Sequence, residues 1–460
     1  MADSGTADTA TIDRLTGETT ELLQAMIRNR CVNDGTITSG NEDVTARLLF
    51  DELAVPGVEQ ELFEPTPGRT SLISRLPGTD PTAPKLCLMG HTDVVPVSPD
   101  GWERDPFGGE LVGDPNDPSS EVWGRGAVDM LNLTSSMAVA FRHLAATNRR
   151  YPGDIIYFAV ADEEAGGAHG AEVLLEQQWE HVGAEYVLTE FGGMGHATDS
   201  GRTLMVTTAE KGLAWRRIRV QGQPGHGSAP LGADNALIKA AEVVRRLSEY
   251  RPAAKLDELW TARVDSMGLP EEMRTRLLDP GAVMDAIMQL PKPVRATAHS
   301  CSHTTFSPNV AHGGVKTNVI PDVVEIEVDI RTVPGETSED VDAHLHAALG
   351  DLMDHVEVEV LQESQPTSSP ASGPLWDALT DSMHLVFPEA AIIPSLVTGG
   401  TDARFYRQRG SVAYGAGLLS AEIDTGEFWK RFHGHNERID LLSLRLTTKL
   451  WLDVVDRLWA

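Results

Sequence analysis

His91-Thr92-Asp93 closes an apolar run, Lys85-Leu86-Cys87-Leu88-Met89-Gly90, and four later sites carry donors of the same kind. They are Asp129 in Gly124-Arg125-Gly126-Ala127-Val128-Asp129, the pair Glu163-Glu164, Glu190 after Glu185-Tyr186-Val187-Leu188-Thr189, and His433 in His433-Gly434-His435-Asn436-Glu437. Two imidazoles, one carboxylate able to bridge and two terminal carboxylates make the ligand inventory of two neighbouring zinc ions. Glu163 is left over, free to act as a base, and the combination points to a hydrolase. Asp93 can accept the second ring proton of a metal-bound His91 and fix its tautomer. Taken singly, each site has a plainer explanation. Asp129 would be an N-cap before Leu131, Glu163-Glu164 would favour a helix dipole, and His91, Glu190 and His433 would be polar loop residues.

These residues need elements to hold them. Leu22, Leu23, Met26 and Ile27 form a helical stripe, and Lys85–Met89, Asp154–Ala161 and Glu185–Thr189 read as short buried strands. Leu131–Asn148 reads as a helix, as do Leu375–Val386 and Leu442–Trp459. Alternating helices and strands imply an α/β layered domain, in which ligands gather beyond the carboxyl ends of the strands. From about Leu213 the texture changes. A strand at Trp215–Val220, a helix with Leu237, Ala240, Val244 and Leu247, and the alternating strand Val324–Ile330 come first. A capping box at Thr337-Ser338-Glu339-Asp340 and a strand through Val356, Val358 and Val360 follow. That β-α-β-β-α-β order predicts a ferredoxin-like module set into the first domain. The expected division is 1–210 and 365–460 for the catalytic domain and 211–364 for the module, with a helical insertion at about 251–306. Ser364–Pro374 is the return crossing, and there is no internal repeat.

At 460 residues, about two or three domains are expected. Lys and Arg total 38 against 68 Asp and Glu, a net charge of −30 that repels polyanions and argues against nucleic acid as a partner. Cys31, Cys87 and Cys301 are scattered and odd in number, which argues against a disulfide framework or a thiolate metal site and for a reducing compartment. Met1-Ala2-Asp3-Ser4-Gly5-Thr6 lacks the basic start of a signal peptide, and no run reaches the roughly 18 apolar residues of a membrane span. A cytoplasmic location is expected. Gly166-Gly167-Ala168-His169-Gly170 after a strand hints at a nucleotide site, but it lacks the dinucleotide and phosphate-loop spacings, and Glu163-Glu164 would repel phosphate.

In register, His91-Thr92-Asp93, Gly124–Met130, Asp162-Glu163-Glu164-Ala165-Gly166-Gly167 and His433-x-x-Asn436-Glu437 resemble a co-catalytic zinc family. Its members are aminoacylase, acetylornithine deacetylase, succinyl-diaminopimelate desuccinylase and glutamate carboxypeptidase. Gly225-His226-Gly227-Ser228-Ala229-Pro230, Asn318-Val319-Ile320-Pro321 and Gly399-Gly400-Thr401-Asp402-Ala403-Arg404 extend the resemblance over nearly the whole chain. It implies a zinc-exopeptidase-like three-layer α/β/α catalytic domain with an inserted ferredoxin-like α+β lid and dimerisation domain. It also implies two zinc ions, with cobalt or manganese as substitutes. One would be held by His91, Asp129 and Glu190, the other by Asp129, Glu164 and His433, with Glu163 as general base and a cis peptide at Asp129-Met130. The family spacing selects His433 over His435.

The resemblance also places His226 on the lid of a homodimer, serving the oxyanion at the neighbouring subunit's metals. Asn318 and Arg331 lie on the same module, and Arg331 suits a bidentate grip on a substrate carboxylate or, more plainly, an ion pair with Glu327 or Asp329. Thr401 offers a hydroxyl to substrate. Leu131-Asn132 stands where many relatives carry Lys-Gly, a departure that bears on substrate range. The expected substrate is a small molecule or short peptide with a free carboxylate, whether N-acyl amino acid, dipeptide or C-terminal residue.

Overall fold

A computed structural model of the chain describes residues 7–98, 100–147, 149–198 and 201–460. Met1–Thr6, read above for a leader, and Asn148, the expected end of one helix, lie outside them. The chain forms two compact units. The first combines Met1–Thr208, Ser369–Ser395 and Thr401–Ala460, and the second combines Ala209–Ser368 with Leu396–Gly400. The short return at Leu396–Gly400 leaves no trace in the hydrophobic pattern.

Four parallel strands form the centre of the first unit, in the order Ile155–Val160, Leu86–His91, Tyr186–Thr189 and Val412–Gly415. Antiparallel strands flank them: the hairpin Glu59–Thr66 and Arg69–Leu76 on one side, and Gly201–Glu210 on the other. Parallel strands are buried on both faces, which is why these segments read as unbroken apolar runs. Their side chains alternate between two cores. Leu86, Leu88, Tyr157 and Leu188 pack with the helices Thr9–Asn29, Leu131–Ala146, Pro374–His384 and Leu441–Leu458. Cys87, Met89, Ile156 and Val187 pack on the opposite face with Leu174, Leu175, Phe405 and Tyr406. The result is a three-layer α/β/α unit. At about 1.5–3 kcal/mol per buried aliphatic or aromatic side chain, the two cores hold the strand ends firmly in place.

The helix Leu131–Ala146 starts after Met130, which makes no side-chain cap. Asp129 is therefore not its N-cap and is free for another task. Gly90 lets this helix lie close against the strand, since a side chain there would collide with Thr134. Thr134 Oγ1 uses that proximity to donate to the His91 carbonyl at 2.8 Å.

Three short strands, Glu110–Val112, Glu121–Trp123 and Arg438–Asp440, form a separate small sheet. Arg438 pairs with Trp123, and the Gly124 amide donates to the Glu437 carbonyl at 2.9 Å. This ladder brings the His433–Glu437 loop beside Gly124–Asp129.

The second unit is an antiparallel sheet ordered Thr305–Gly313, Val323–Thr332, Gly212–Gln221, Val356–Ser364. Helices Ala236–Glu249 and Ser338–Leu349 cover one face with Ala240, Val243, Leu247, Val341 and Leu345. Strand order and connections are those of a ferredoxin-like module. The helical insertion runs from Glu258 to Ser302 as four helices around Trp260. It is shorter than expected at its far end, because Thr305 and Phe306 already belong to the edge strand. Among the described residues, no helix is long and apolar enough to cross a membrane.

Candidate metal centre

The three inner parallel strands deliver the acidic and imidazole groups. His91 is the last residue of its strand, Glu163-Glu164 form a tight turn just past Val160, and Glu190 follows Thr189. His91, Asp129 and Glu190 are almost wholly buried, whereas the His433 side chain keeps 42% of its exposure. The centre is thus open on the His433 side.

Both imidazoles turn Nε2 to one carboxylate. Asp129 Oδ1 lies 3.2 Å from His91 Nε2, and Asp129 Oδ2 lies 2.8 Å from His433 Nε2. Glu190 Oε2 stands 3.8 Å from His91 Nε2, and Glu164 Oε2 stands 3.5 Å from His433 Nε2. His91, Asp129 and Glu164 can bring donor atoms within 4.8 Å of one another, and so can His91, Glu163 and Glu190. Distance alone therefore leaves Glu163 as a further donor. His435 points elsewhere, edge-on to Trp102. The peptide Asp129-Met130 is cis.

His91 Nδ1 faces the Asp93 carbonyl at 2.9 Å, and the Asp93 carboxylate is farther off at 3.5 Å. The carbonyl, rather than the carboxylate expected from sequence, is thus the nearer acceptor for the Nδ1 proton. With that proton committed, the Nε2 lone pair points at a carboxylate, a contact that only a proton or a metal cation relieves. The Asp93 carboxylate holds the neighbouring turn instead, accepting from Glu164 N at 3.1 Å and Asn33 Nδ2 at 2.8 Å.

The electrostatics agree. Burial, then the repulsion of Asp129, pushes the Glu164 carboxyl up to about 7. Burial also drives Glu163 and Glu190 well above the ordinary carboxylate range, with neighbouring carboxylates adding to the rise. Asp129 moves the other way. Burial opposes its ionisation, but hydrogen bonds from His433 and His91 hold it below the usual range. Against the desolvation of each ring, contacts with these carboxylates raise His91 well above its ordinary value and His433 to about 10. Asp93 Oδ1 and Glu164 Oε1 are buried without a hydrogen-bond partner. Four carboxylates around two imidazoles, with the orphaned Glu164 oxygen among them, fit two divalent cations in charge and donor type.

Several supporting residues, some of them inside the quoted motifs, had no role assigned from sequence. Glu437 is fully buried; its Oε1 accepts from Val128 N at 2.7 Å and Asp129 N at 3.0 Å, and its Oε2 from Arg125 Nη1 at 2.6 Å. Arg125 Nη2 donates to the His433 carbonyl at 3.2 Å, so one ion pair ties both loops. Behind the Glu163 turn, buried Arg69 holds Glu42 at 2.6 Å and Asn33 Oδ1 at 3.0 Å. Asp402 sits buried with both oxygens unpartnered, and burial carries its carboxyl up to about 7. Gly167, at φ +73°, leaves space that a side chain would need to share with the Asp402 carboxylate. Of the six non-glycine residues with positive φ among those described, Asp162, Phe191, His433 and Asn436 adjoin the centre, a concentration of backbone strain typical of functional sites.

Thr401 belongs to this unit. Its hydroxyl accepts from Ala403 N at 3.2 Å, and Arg404 links its carbonyl to that of Gly166. His226, Asn318 and Arg331 belong to the second unit. His226 pairs with Val319 in a two-residue ladder, Gly227 N donates to the Asn318 carbonyl, and the His226 ring meets Ser228 Oγ at 2.8 Å. Arg331 Nε donates to Asp329 Oδ1 at 2.7 Å, the plainer of its two expected roles.

A family model described as Peptidase family M20/M25/M40 matches residues 87–457. Aminoacylase-1 of Sus scrofa is 28% identical over 390 residues, covering 83% of this chain and 82% of its own. The fold is shared with an M20 family metallo-carboxypeptidase, Sso-CP2 from Sulfolobus solfataricus. Its TM-score is 0.73 at 18% identity, covering 96% of this chain and 99% of that one. It is also shared with the YXEP protein of Bacillus subtilis, a dinuclear metal-binding peptidase, at a TM-score of 0.60 and 13% identity over 96% and 98% of the two chains.

Proposed function

Because the chain belongs to peptidase family M20/M25/M40 and is a metallohydrolase acting on C–N bonds, we propose that it uses two zinc ions to cleave an amide bond in a small substrate bearing a free carboxylate. N-Acyl amino acids, dipeptides and C-terminal peptide residues are the candidates. The observation that carries this reading is the Asp129 carboxylate, which offers one oxygen toward each imidazole. His91, Asp129 and Glu190 would hold one ion, and Asp129, Glu164 and His433 the other. Cobalt or manganese could replace zinc.

When bound, the ions supply Lewis-acid polarisation of the carbonyl and a water acidified toward neutral pH. Glu163 accepts the proton of the attacking water and passes it to the leaving amine. Its turn, which follows Asp162 held by buried Arg69, keeps the carboxylate oriented. Glu437 and Arg125 position Asp129 and His433 without touching substrate.

In a cytoplasmic homodimer, His226 would donate to the oxyanion at the neighbouring subunit's metals, and Asn318 and Thr401 would orient the substrate. Arg331 would exchange Asp329 for the substrate carboxylate. Three unpaired, buried thiols support a reducing compartment.

Purified protein is assayed on N-acyl amino acids and dipeptides with zinc or cobalt, before and after chelation. Hydrolysis that chelator abolishes and metal restores is expected. Turnover indifferent to chelation, or none on any amide in the panel, would overturn the reading.

A further inference from the structure

Three of the six residues from Asp162 to Gly167 take left-handed backbone: Asp162 at φ 72°, Gly166 at 100° and Gly167 at 73°. A turn of this kind keeps one shape only where its surroundings fix it. The fixing matters most for Glu163, the candidate base. No hydrogen bond from a described residue holds its carboxylate, whose Oε2 stands 4.0 Å from His91 Nε2. The backbone must therefore set its place.

Arg404 takes hold of that backbone. Its Nη2 donates to the Gly166 carbonyl at 2.7 Å, and its Nη1 donates to the Thr401 carbonyl at 2.8 Å. The Gly166 carbonyl shares one peptide plane with the Gly167 amide, which donates to the Asp162 carbonyl at 2.7 Å. That carbonyl belongs to the peptide joining Asp162 to Glu163. Two hydrogen bonds in series thus lead from the guanidinium to the base, and each polarises the next.

An arginine so close in sequence to a buried carboxylate would ordinarily pair with it. Asp402 is 2% exposed, and neither of its oxygens has a hydrogen-bond partner. Arg404 nevertheless gives its fork to two carbonyls. Burial raises the Asp402 carboxyl, and Arg404 opposes that rise more than any other group, so the acid holds the cation inward by charge alone. Phe405 completes the seat. Arg404 Cζ lies 4.3 Å from its ring centroid, and a side chain on Gly167 would collide with both Phe405 and Asp402. Turn and loop are in direct contact.

We propose that Arg404 is a positioning residue for the reaction, fixing the Glu163 carboxylate by joining its turn to the Thr401–Arg404 loop. The inference rests on the amide-hydrolase reading and adds to it a residue that acts through Gly166, not on the substrate.

The test compares wild type, Arg404→Ala, Glu163→Ala and the double variant, each loaded with zinc, on the N-acyl amino acids and dipeptides. Arg404→Ala should keep its zinc and its KM while kcat falls about 10 to 100-fold, the cost of misplacing a reacting group by about 1 Å. Arg404→Lys should recover little of that loss, because one ammonium cannot span both carbonyls. In the Glu163→Ala background the same Arg404→Ala change should lower kcat by less than about twofold, since the two residues act as one unit. Should Arg404→Ala melt below the assay temperature, Arg404→Lys, which retains the charge beside Asp402, carries the same cycle. An unchanged kcat, a loss confined to KM or zinc content, or losses that multiply in the double variant would overturn the assignment while leaving the hydrolase intact. Absence of wild-type turnover on every amide would instead sink the hydrolase reading and this role with it.

Discussion

On the open face of the second unit's sheet, Glu327 and Glu359 pair with Arg217, Asp329 pairs with Arg331 and Trp215, and Gln221 donates to Glu357. These carboxylates are partly or largely solvated, and most face a cation. At the strand ends of the first unit, Asp129, Glu163, Glu164 and Glu190 face one another in the interior, with two imidazoles between them. Both regions are rich in acids. Only at the strand ends of the first unit does burial leave negative charge that the protein's own cations do not balance. Acidity of a surface serves solvation, while acidity of an interior implies a guest cation.

The sharpest way to break this contrast is Glu163→Ala. It should lower kcat by about 10² to 10⁴-fold while metal content stays at two per chain. If elemental analysis finds one metal lost instead, Glu163 is a ligand, as its distance from His91 and Glu190 allows. Glu437→Ala removes no candidate ligand but frees the Val128 and Asp129 amides and takes from Arg125 its ion-pair partner. Metal affinity should weaken by about 10 to 100-fold, read by competition with a chromophoric chelator. Unchanged affinity would reduce that brace to ordinary packing.

A third test uses pH. Glu164 and Asp402 stand at about 7 in the folded protein, above the ordinary carboxylate value. Between about pH 4 and 7 the native state therefore holds protons that the unfolded chain has released, so metal-free stability must fall as pH rises through that window. Zinc binds the ionised forms and should reverse the trend. Thermal melts in chelator should drop from about pH 5 to 8, while melts in excess zinc should hold or climb. A metal-free midpoint that rises across the window would contradict the crowded-carboxylate picture. The smallest effect belongs to the other region: Glu327→Gln should change neither activity nor the melting curve measurably, since solvated pairs contribute little. A large loss there would mean that the sheet face has a partner.

The strands were legible because their cause is local. An apolar run such as Leu86–Met89 needs two covered faces whatever else surrounds it, and the residue after it must emerge at the sheet's end. Alternation in Val324–Ile330 identified a one-sided strand for the same reason. The braces were not legible. Glu437 matters through amides some 308 residues away in sequence, and Arg69 through side chains on three separate segments. Asp402 lay inside a noted motif, yet only its neighbour Thr401 offered an evident polar role. Its significance comes from burial without partners, a property of packing. The Asp93 carboxylate likewise looked like the partner of His91 by spacing, and turn geometry gave that place to its carbonyl.

The order of strands in the first unit bears on its biosynthesis. Val412–Gly415 lies inside the sheet, between Tyr186–Thr189 and Gly201–Glu210, although it is made long after both. A chain emerging from the ribosome keeps an open seam beside Tyr186–Thr189 through more than 200 residues of further synthesis, with the second unit completed in between. His433 and Glu437 arrive later still. The seam of the sheet is therefore filled, and the candidate ligands are brought together, only by residues made after the second unit.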